Sequence, residues 1–599
     1  MLAVGSAEMT RNRAGKIVTV LTLAALTLMA SRCGGGQNGS QQPPPPPAIT
    51  VGALVPSYTV AGGNDFNFFV NGSGFTTASV VQWNGTPVPT TFGTNAILTA
   101  SVSTSLIATP GMASITVKDS SSGATSNAEP FGIASPAAAT AGVIAMITVA
   151  ADGTPPNGDS LVAPSISATG RYVSFQSNAT NLAPGPASGY QEIYERDTCI
   201  GAPAGCVPTT IRITVTHDGS PVNFHSLDSA ISADGRYVAF DSEATNILPN
   251  TDVCGSFCVF LRDTCNGAPA GCNPNTTLVT VASDGSPVGS ANPSISPDGR
   301  FVAFNSFSAN IVSGNGGGVG QAFVRDTCNG APSGCTPGNT LISVPSSGTE
   351  DNATTGLPAI SATARYFAFQ SWATNILPNE AGLPGNFWRD TCIGGPPACI
   401  PTTTRADVTA NGAQPNNGIF SGTIPAITRD GRLVAFASTA TNLVSANVNG
   451  IGNVYVRDTC TGAPASCTAT TSLVSLANDG SVGNCGSPSQ GLAMSSNGRF
   501  VAFDSIATNL TPDDNFPACS FEDVFVRDSC FGVASGCTPS TVRVSVTDTP
   551  NPQTPGFDFS RLPAISGDGH YVVFLSAATN LIPGGTNGHQ MVLLAKTGF

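Results

Sequence analysis

Charge is scarce in this chain. Only 10% of its 599 residues are Asp, Glu, Lys or Arg, against roughly 25% in an ordinary soluble domain. Lysine is nearly absent, with Lys16, Lys118 and Lys596 the only three, and the formal net charge is -13. A surface so poor in cations excludes nucleic acid and other polyphosphates as partners. Histidine is rare too. The four, His217, His225, His570 and His589, show no metal-ligand spacing, so no metal or cofactor is implied. No G-x-S-x-G elbow occurs, which argues against a hydrolase domain joined to the rest. Long apolar runs are also missing. The most apolar stretch, residues 17–30, is too short to span a bilayer comfortably.

What is abundant is repetition. A unit of about 65 residues returns seven times, marked by Arg171, Arg236, Arg300, Arg365, Arg432, Arg499 and His570. Ten residues beyond each stands an asparagine: Asn181, Asn246, Asn310, Asn375, Asn442, Asn509 and Asn580. A fixed offset over seven copies means one supersecondary unit stacked many times. The second copy has four strand signals, A at 229–232, B at 236–240, C at 259–263 and D at 278–281. Asp234-Gly235 supplies the A–B turn, and four antiparallel strands per unit make a propeller blade. The last copy stops after strand C, while Met146-Ile147-Thr148-Val149 repeats the pattern of Leu278-Val279-Thr280-Val281. The N-terminal segment is therefore expected to complete the last blade and close a ring of seven, removing exposed strand edges.

The seventeen cysteines fit export. Six pairs share one spacing: Cys199/Cys206, Cys265/Cys272, Cys328/Cys335, Cys392/Cys399, Cys460/Cys467 and Cys530/Cys537. Each repeat offers two sulfurs, where a zinc site needs four ligands. Local disulfides are therefore expected, each worth ~2.5 kcal/mol in the chain-entropy model. Cys485 with Cys519, and Cys254 with Cys258, are the expected remaining pairs, leaving Cys33 over.

Three resemblances add to this. The pattern Ser-Ala-Asp-Gly-Arg-Tyr-Val-Ala-Phe at 232–240, followed by a Val-Phe-Val-Arg-Asp strand as at 524–528, resembles TolB-like propeller repeats of bacterial envelope proteins. The stretch 68–85, with Asn71-Gly72-Ser73-Gly74-Phe75 and Trp83-Asn84-Gly85, resembles IPT/TIG immunoglobulin-like domains, which implies a spacer or binding module. The basic Arg11, Arg13 and Lys16, the apolar run and Cys33 resemble a bacterial lipoprotein signal, although Arg32 stands where that pattern has a small residue. Export with simple cleavage nearby is the alternative.

The chain therefore reads as all-β: an immunoglobulin-like β-sandwich followed by a seven-bladed β-propeller closed by an N-terminal strand. The expected division is a signal peptide at 1–32, a Gly/Gln/Pro-rich linker at 33–47, the sandwich at 48–133, a linker at 134–142 and the propeller at 143–599. Residues repeated in every blade, including the Arg-Asp dipeptides such as Arg262-Asp263, read as scaffold. A site belongs where blades differ, on the face carrying the B–C and D–A loops. Segment 511–522, with Asp513, Asp514, Phe516 and Glu522, is the candidate binding loop. Its acidic group with Asp523 reads as a solvated loop, with calcium as the rival reading. The expected function is an exported, lipid-anchored envelope scaffold, at the outer membrane or cell surface, or else periplasmic or secreted. It would bind protein or glycan as a monomer and touch the membrane only through its lipid. A polysaccharide lyase or hydrolase and a purely structural adhesin are the alternatives.

Overall fold

The computed structural model describes residues 49–599, except 56–57, 61–65, 109–110, 135–140, 151–152, 204, 250–255, 270, 332–333, 357, 379–382, 420–422, 447, 449, 489–490, 513–518, 534–535, 547–558, 583–584 and 587. The expected signal segment and linker, with Cys33, lie outside them. Two sheets form the sandwich. One orders Thr50–Val55, Phe66–Ser73, Ile97–Val102 and Thr90–Thr94; the other orders Tyr58–Val60, Glu129–Ala134, Gly111–Asp119, Ser79–Trp83 and Thr86–Pro87. Alternate residues of Ser79–Trp83 are buried, as expected of strands covered on one face. Phe68, Trp83 and Phe131 meet between the sheets, with ring centroids 5.0–6.1 Å apart.

Seven four-stranded antiparallel sheets follow. In the second blade the strands are A, Ser226–Ile231; B, Tyr237–Ser242; C, Cys258–Asp263; and D, Asn275–Leu278. Strand B is buried along its whole length, because neighbouring blades cover both of its faces. This is why it reads as an unbroken apolar run. Phe240 lies directly opposite Phe260 on strand C, and their rings stack at 5.5 Å. Five other blades repeat this aromatic pair at 5.7–6.0 Å, and the seventh sets Phe574 against Leu593. Burying each such ring stabilises the ring of blades by roughly 1.5–3 kcal/mol.

Strand D lies earlier than the sequence suggests. It ends at Leu278, where the apolar quartet begins. The polar run Asn275-Thr276-Thr277-Leu278 pairs with strand C as the outer edge, where alternate side chains meet water. Val279 and Thr280 turn inward instead. Both of their N–H groups donate to the Val259 carbonyl, at 2.9 and 3.4 Å, and Val259 N–H donates to Thr280 Oγ1 at 3.1 Å. The closing strand is shifted in the same way. Gly142–Met146, not residues 146–149, pairs antiparallel with Met591–Lys596 of the last blade.

A second belt of bonds joins the A–B turns. Ala168 N–H donates to Ala233 O, Ala233 N–H to Pro297 O, Ala362 N–H to Arg429 O, Arg429 N–H to Ser496 O, and Ser496 N–H to Gly567 O. Asp568 N–H then reaches Ala168 O, joining the last blade to the first. The step from the third blade to the fourth has no such bond because Pro297 has no N–H. Gly235 shows why glycine holds these turns. Its φ is +77°, and an added Cβ would lie 2.0 Å from the Tyr172 ring of the preceding blade.

Candidate functional site

One face of the ring carries the A–B turns and C–D loops. There the repeated residues bind one another. Arg236, at the start of strand B, grips Asp263 at the end of strand C through Nε and Nη2, at 2.9 and 2.7 Å. Asp263 also accepts the Cys265 N–H at 2.9 Å, fixing that cysteine at φ +64°. The guanidinium lies 4.8 Å from the Tyr237 ring centroid. Burial raises the Asp263 pKa, but Arg236 and the Cys265 N–H outweigh it and hold the carboxyl below its usual value. The carboxylate thus belongs to the arginine of strand B and not to its sequence neighbour Arg262, which donates to Thr276 Oγ1 at 3.0 Å. Arg171, Arg300, Arg365, Arg432 and Arg499 make the same grip. Disulfides join Cys199–Cys206, Cys265–Cys272, Cys328–Cys335, Cys392–Cys399, Cys460–Cys467 and Cys530–Cys537. In the last blade His570 takes the arginine position, its Nδ1 2.9 Å from Phe599 O, and Lys596 takes the aspartate position. A cavity of about 310 Å³ beside this face, between Phe69 of the sandwich and Ile144, Ile200 and Leu594, belongs to the joint of the two domains.

The opposite face is built from the B–C and D–A loops. Its repeated element is an amide clasp. Asn223 donates its backbone N–H to Asn246 Oδ1 and its Nδ2 to Thr245 Oγ1, while its Oδ1 accepts the Thr245 N–H. Asn246 Nδ2 donates to Pro221 O at 2.9 Å. Asn157, Asn352, Asn416 and Asn484 repeat the contacts in other blades. These bonds hold exposed loops in fixed shape, as Asn side chains do in turns.

Charges that break the repeat reinforce the same face. Arg212, Arg405 and Arg543 end strand D in the first, fourth and sixth blades. They pair with Glu192 at 2.7 Å, Asp407 at 2.7 Å and Asp523 at 3.1 Å. Arg405 also donates to the B–C loop carbonyls of Leu383 and Pro384, and Arg212 to that of Pro186. A buried guanidinium with several acceptors fixes loop geometry more than it adds stability. On strand B of the second blade, Asp241 accepts the N–H groups of Leu227, Asp228 and Asn292. Burial, with Asp228 beside it, pushes its carboxyl up to about 7. Asp504 likewise accepts the Leu562 N–H. Asn292 and Leu562 both have φ near +60°, so these acids hold bulged A strands in place.

The exposed aromatic rings sort by face. Among the described residues, those of the propeller are Tyr190 (36%), Phe224 (47%), Phe307 (60%) and Trp372 (37%). All four belong to B–C or D–A loops. Among the described residues, the large apolar side chains exposed on the cysteine face are the aliphatic Val207, Ile400 and Val533.

Of the residues that the sequence marks as a binding loop, Asp513, Asp514 and Phe516 lie outside the described residues. Glu522 is half-buried beside strand C of the sixth blade, and its carbonyl accepts the Ser560 N–H at 2.8 Å. A Cys485–Cys519 disulfide ties that loop to the preceding D–A loop. Cys258 is disulfide-bonded, while Cys254 lies outside the described residues. The histidines do not converge. His217 Nδ1 lies by Asn246 O, and His225 Nδ1 accepts the Gln191 N–H. His589 Nδ1 lies 3.1 Å from Asp159 Oδ1 and joins the last blade to the first. Among the described residues no helix is long and apolar enough to cross a membrane.

No family model matches the chain, and no curated protein matches it. Solved structures do. An auxiliary nutrient binding protein from Bacteroides ovatus shares 11% identity at a TM-score of 0.25, covering 74% of this chain and 88% of its own. Another from Bacteroides thetaiotaomicron shares 9% at 0.26, covering 73% and 88%. An alpha-L-arabinofuranosidase from Lactobacillus brevis shares 12% at 0.25, covering 55% and 95%. At these scores the likeness assigns no activity.

Proposed function

We propose that the protein is an exported cell-envelope scaffold whose propeller docks a protein or glycan partner on the B–C and D–A loop face. In this reading Cys33 carries a lipid, the IPT/TIG-like sandwich is a spacer, and the TolB-like ring is a rigid, non-catalytic platform. One observation carries the choice of face: the exposed aromatic rings gather there, on loops pinned by amide clasps and buried arginines. Loops held on a rigid frame suit recognition, and exposed apolar surface marks contact sites. The opposite face uses its charged groups and sulfurs to hold itself together.

The test uses the full-length exported chain as Cys33→Ser, so that no lipid contributes to sedimentation. Binding to isolated bacterial envelope fractions is compared for two variants. One replaces Tyr190, Phe224, Phe307 and Trp372 by Ser; the other replaces Val207, Ile400 and Val533 by Ser. The first should lose binding at least tenfold and the second should keep it. The reverse order would move the site to the cysteine face.

A further inference from the structure

The four exposed rings fall at two junctions between blades. Each lies between strand C of one blade and strand B of the next. At the junction of the first and second blades, Ser226 N–H donates to Gln191 O; at the junction of the third and fourth, Thr355 N–H donates to Gly320 O. Ser290 with Phe257, Ser487 with Gly452 and Ser560 with Glu522 repeat this bond, so the rings and not the joint set these two junctions apart. At the first the Tyr190 and Phe224 rings stack at 5.6 Å, and His225 meets Tyr190 edge-on at 5.0 Å. At the second, Phe307 and Trp372 flank Thr354. An added Cβ on Gly320 would lie 2.9 Å from the Phe307 ring and 3.1 Å from Thr354 Cγ2. Trp372 N–H donates to Thr354 O at 3.1 Å. The Phe307 ring thus packs close over Gly320, and the Trp372 ring lies 3.6 Å from where a Cβ on Gly356 would stand.

Beside the rings stand fixed polar groups. Asn352, Thr374 and Asn375 are exposed and held by their clasp beside Trp372. The charges that stand near both junctions are carboxylates: Glu243 N–H donates to His225 O, and Glu350 accepts the Gly316 N–H, so an anionic ligand is disfavoured. The ligand that matches such a surface has apolar faces and a hydroxyl rim and carries no charge. A pyranose ring has that form. Its axial C–H bonds are polarised towards the negative face of an aromatic ring, and its hydroxyls bond to rigid amides. A protein partner would ask for complementary charge or a continuous apolar patch, and the clasps interrupt any such patch.

We propose that these two sets of exposed rings are subsites for a neutral polysaccharide, with Phe307 and Trp372 stacking on one sugar and Tyr190 and Phe224 receiving another. This rests on the docking face proposed above. The test is affinity electrophoresis of the Cys33→Ser protein in native gels containing mixed-linkage β-glucan, galactomannan or arabinoxylan, with polygalacturonate as the charged control. At least one neutral polymer should retard the protein. Trp372→Ala and Phe307→Ala should each weaken that retardation at least fivefold, with cooperative thermal unfolding retained. No retardation by any neutral polymer overturns the proposal, as does retardation by polygalacturonate alone or retardation that both substitutions leave intact. If the aromatic variant still loses envelope binding while no polymer retards the protein, the glycan assignment falls and the docking face stands.

Discussion

Glu195 should make the stability of the ring fall as pH rises. It sits on strand C of the first blade, opposite Ser174 and Ile211, and is 2% exposed. Asn266 from the next blade donates to Oε1, while Oε2 is buried with no hydrogen-bond partner. Burial pushes the carboxyl up from 4.5 to about 8, the Asn266 bond opposes this, and the nearby Asp197 and Asp234 add to it. The folded state therefore holds this proton more tightly than the unfolded chain. The stability it supplies is full below pH 4.5 and is lost progressively as pH rises through about 8. The difference between those two values corresponds to about 5 kcal/mol. Unfolding a ring of roughly 450 residues carries an entropy near 1 kcal/mol per kelvin, so the loss appears as about 5 °C in melting temperature. The assay is thermal unfolding of wild type and Glu195→Gln from pH 5 to pH 9. An amide cannot ionise, so the variant should gain on wild type by about 4 °C across that range. Any cost of the new amide is a constant offset at every pH. A melting-temperature difference that stays flat from pH 5 to 9 would refute the reasoning.

Other expectations follow from the frame. Deleting residues 142–146 removes the strand that pairs with Met591–Lys596, so the last blade keeps an open edge; size-exclusion chromatography should show association, and a stable monomer would contradict the closure. Ala364 holds φ +55° where the other six A–B turns carry glycine. Ala364→Gly should relieve about 1 kcal/mol of left-handed strain and raise the melting temperature by about 1 °C; an unchanged or lower value would show the turn is not strained.

Much of the ring is legible in the sequence because its central strands are covered on both faces. Phe240 and Phe260 face each other in a pattern that recurs in chain order, and the match of Ile147-Thr148-Val149 to Val279-Thr280-Val281 points to closure. The strand itself is misplaced by that match. The apolar residues bend over strand C, whereas the paired edge, Asn275–Leu278, is polar and resembles a loop. Arg212, Arg405 and Arg543 are missed because each looks like a surface charge at a strand end. Their recurrence in three blades is the available signal, but their carboxylates sit at different sequence positions. Phe307 and Trp372 are missed for another reason. Loop length draws attention to 511–522, while these rings occupy the position that is Asn178, Glu243, Thr439, Ile506 and Ala577 elsewhere. An exposed aromatic ring at a repeat position that holds no other ring is a sharper mark of a contact surface than the length of a loop.

The docking face is tested most directly by amide hydrogen exchange on the full-length Cys33→Ser protein, free and bound to envelope material. The account predicts slower exchange on binding at 188–191, 223–226, 307–320 and 352–356, with the cysteine loops unchanged. Protection confined to 199–206, 265–272 and the equivalent loops would contradict it.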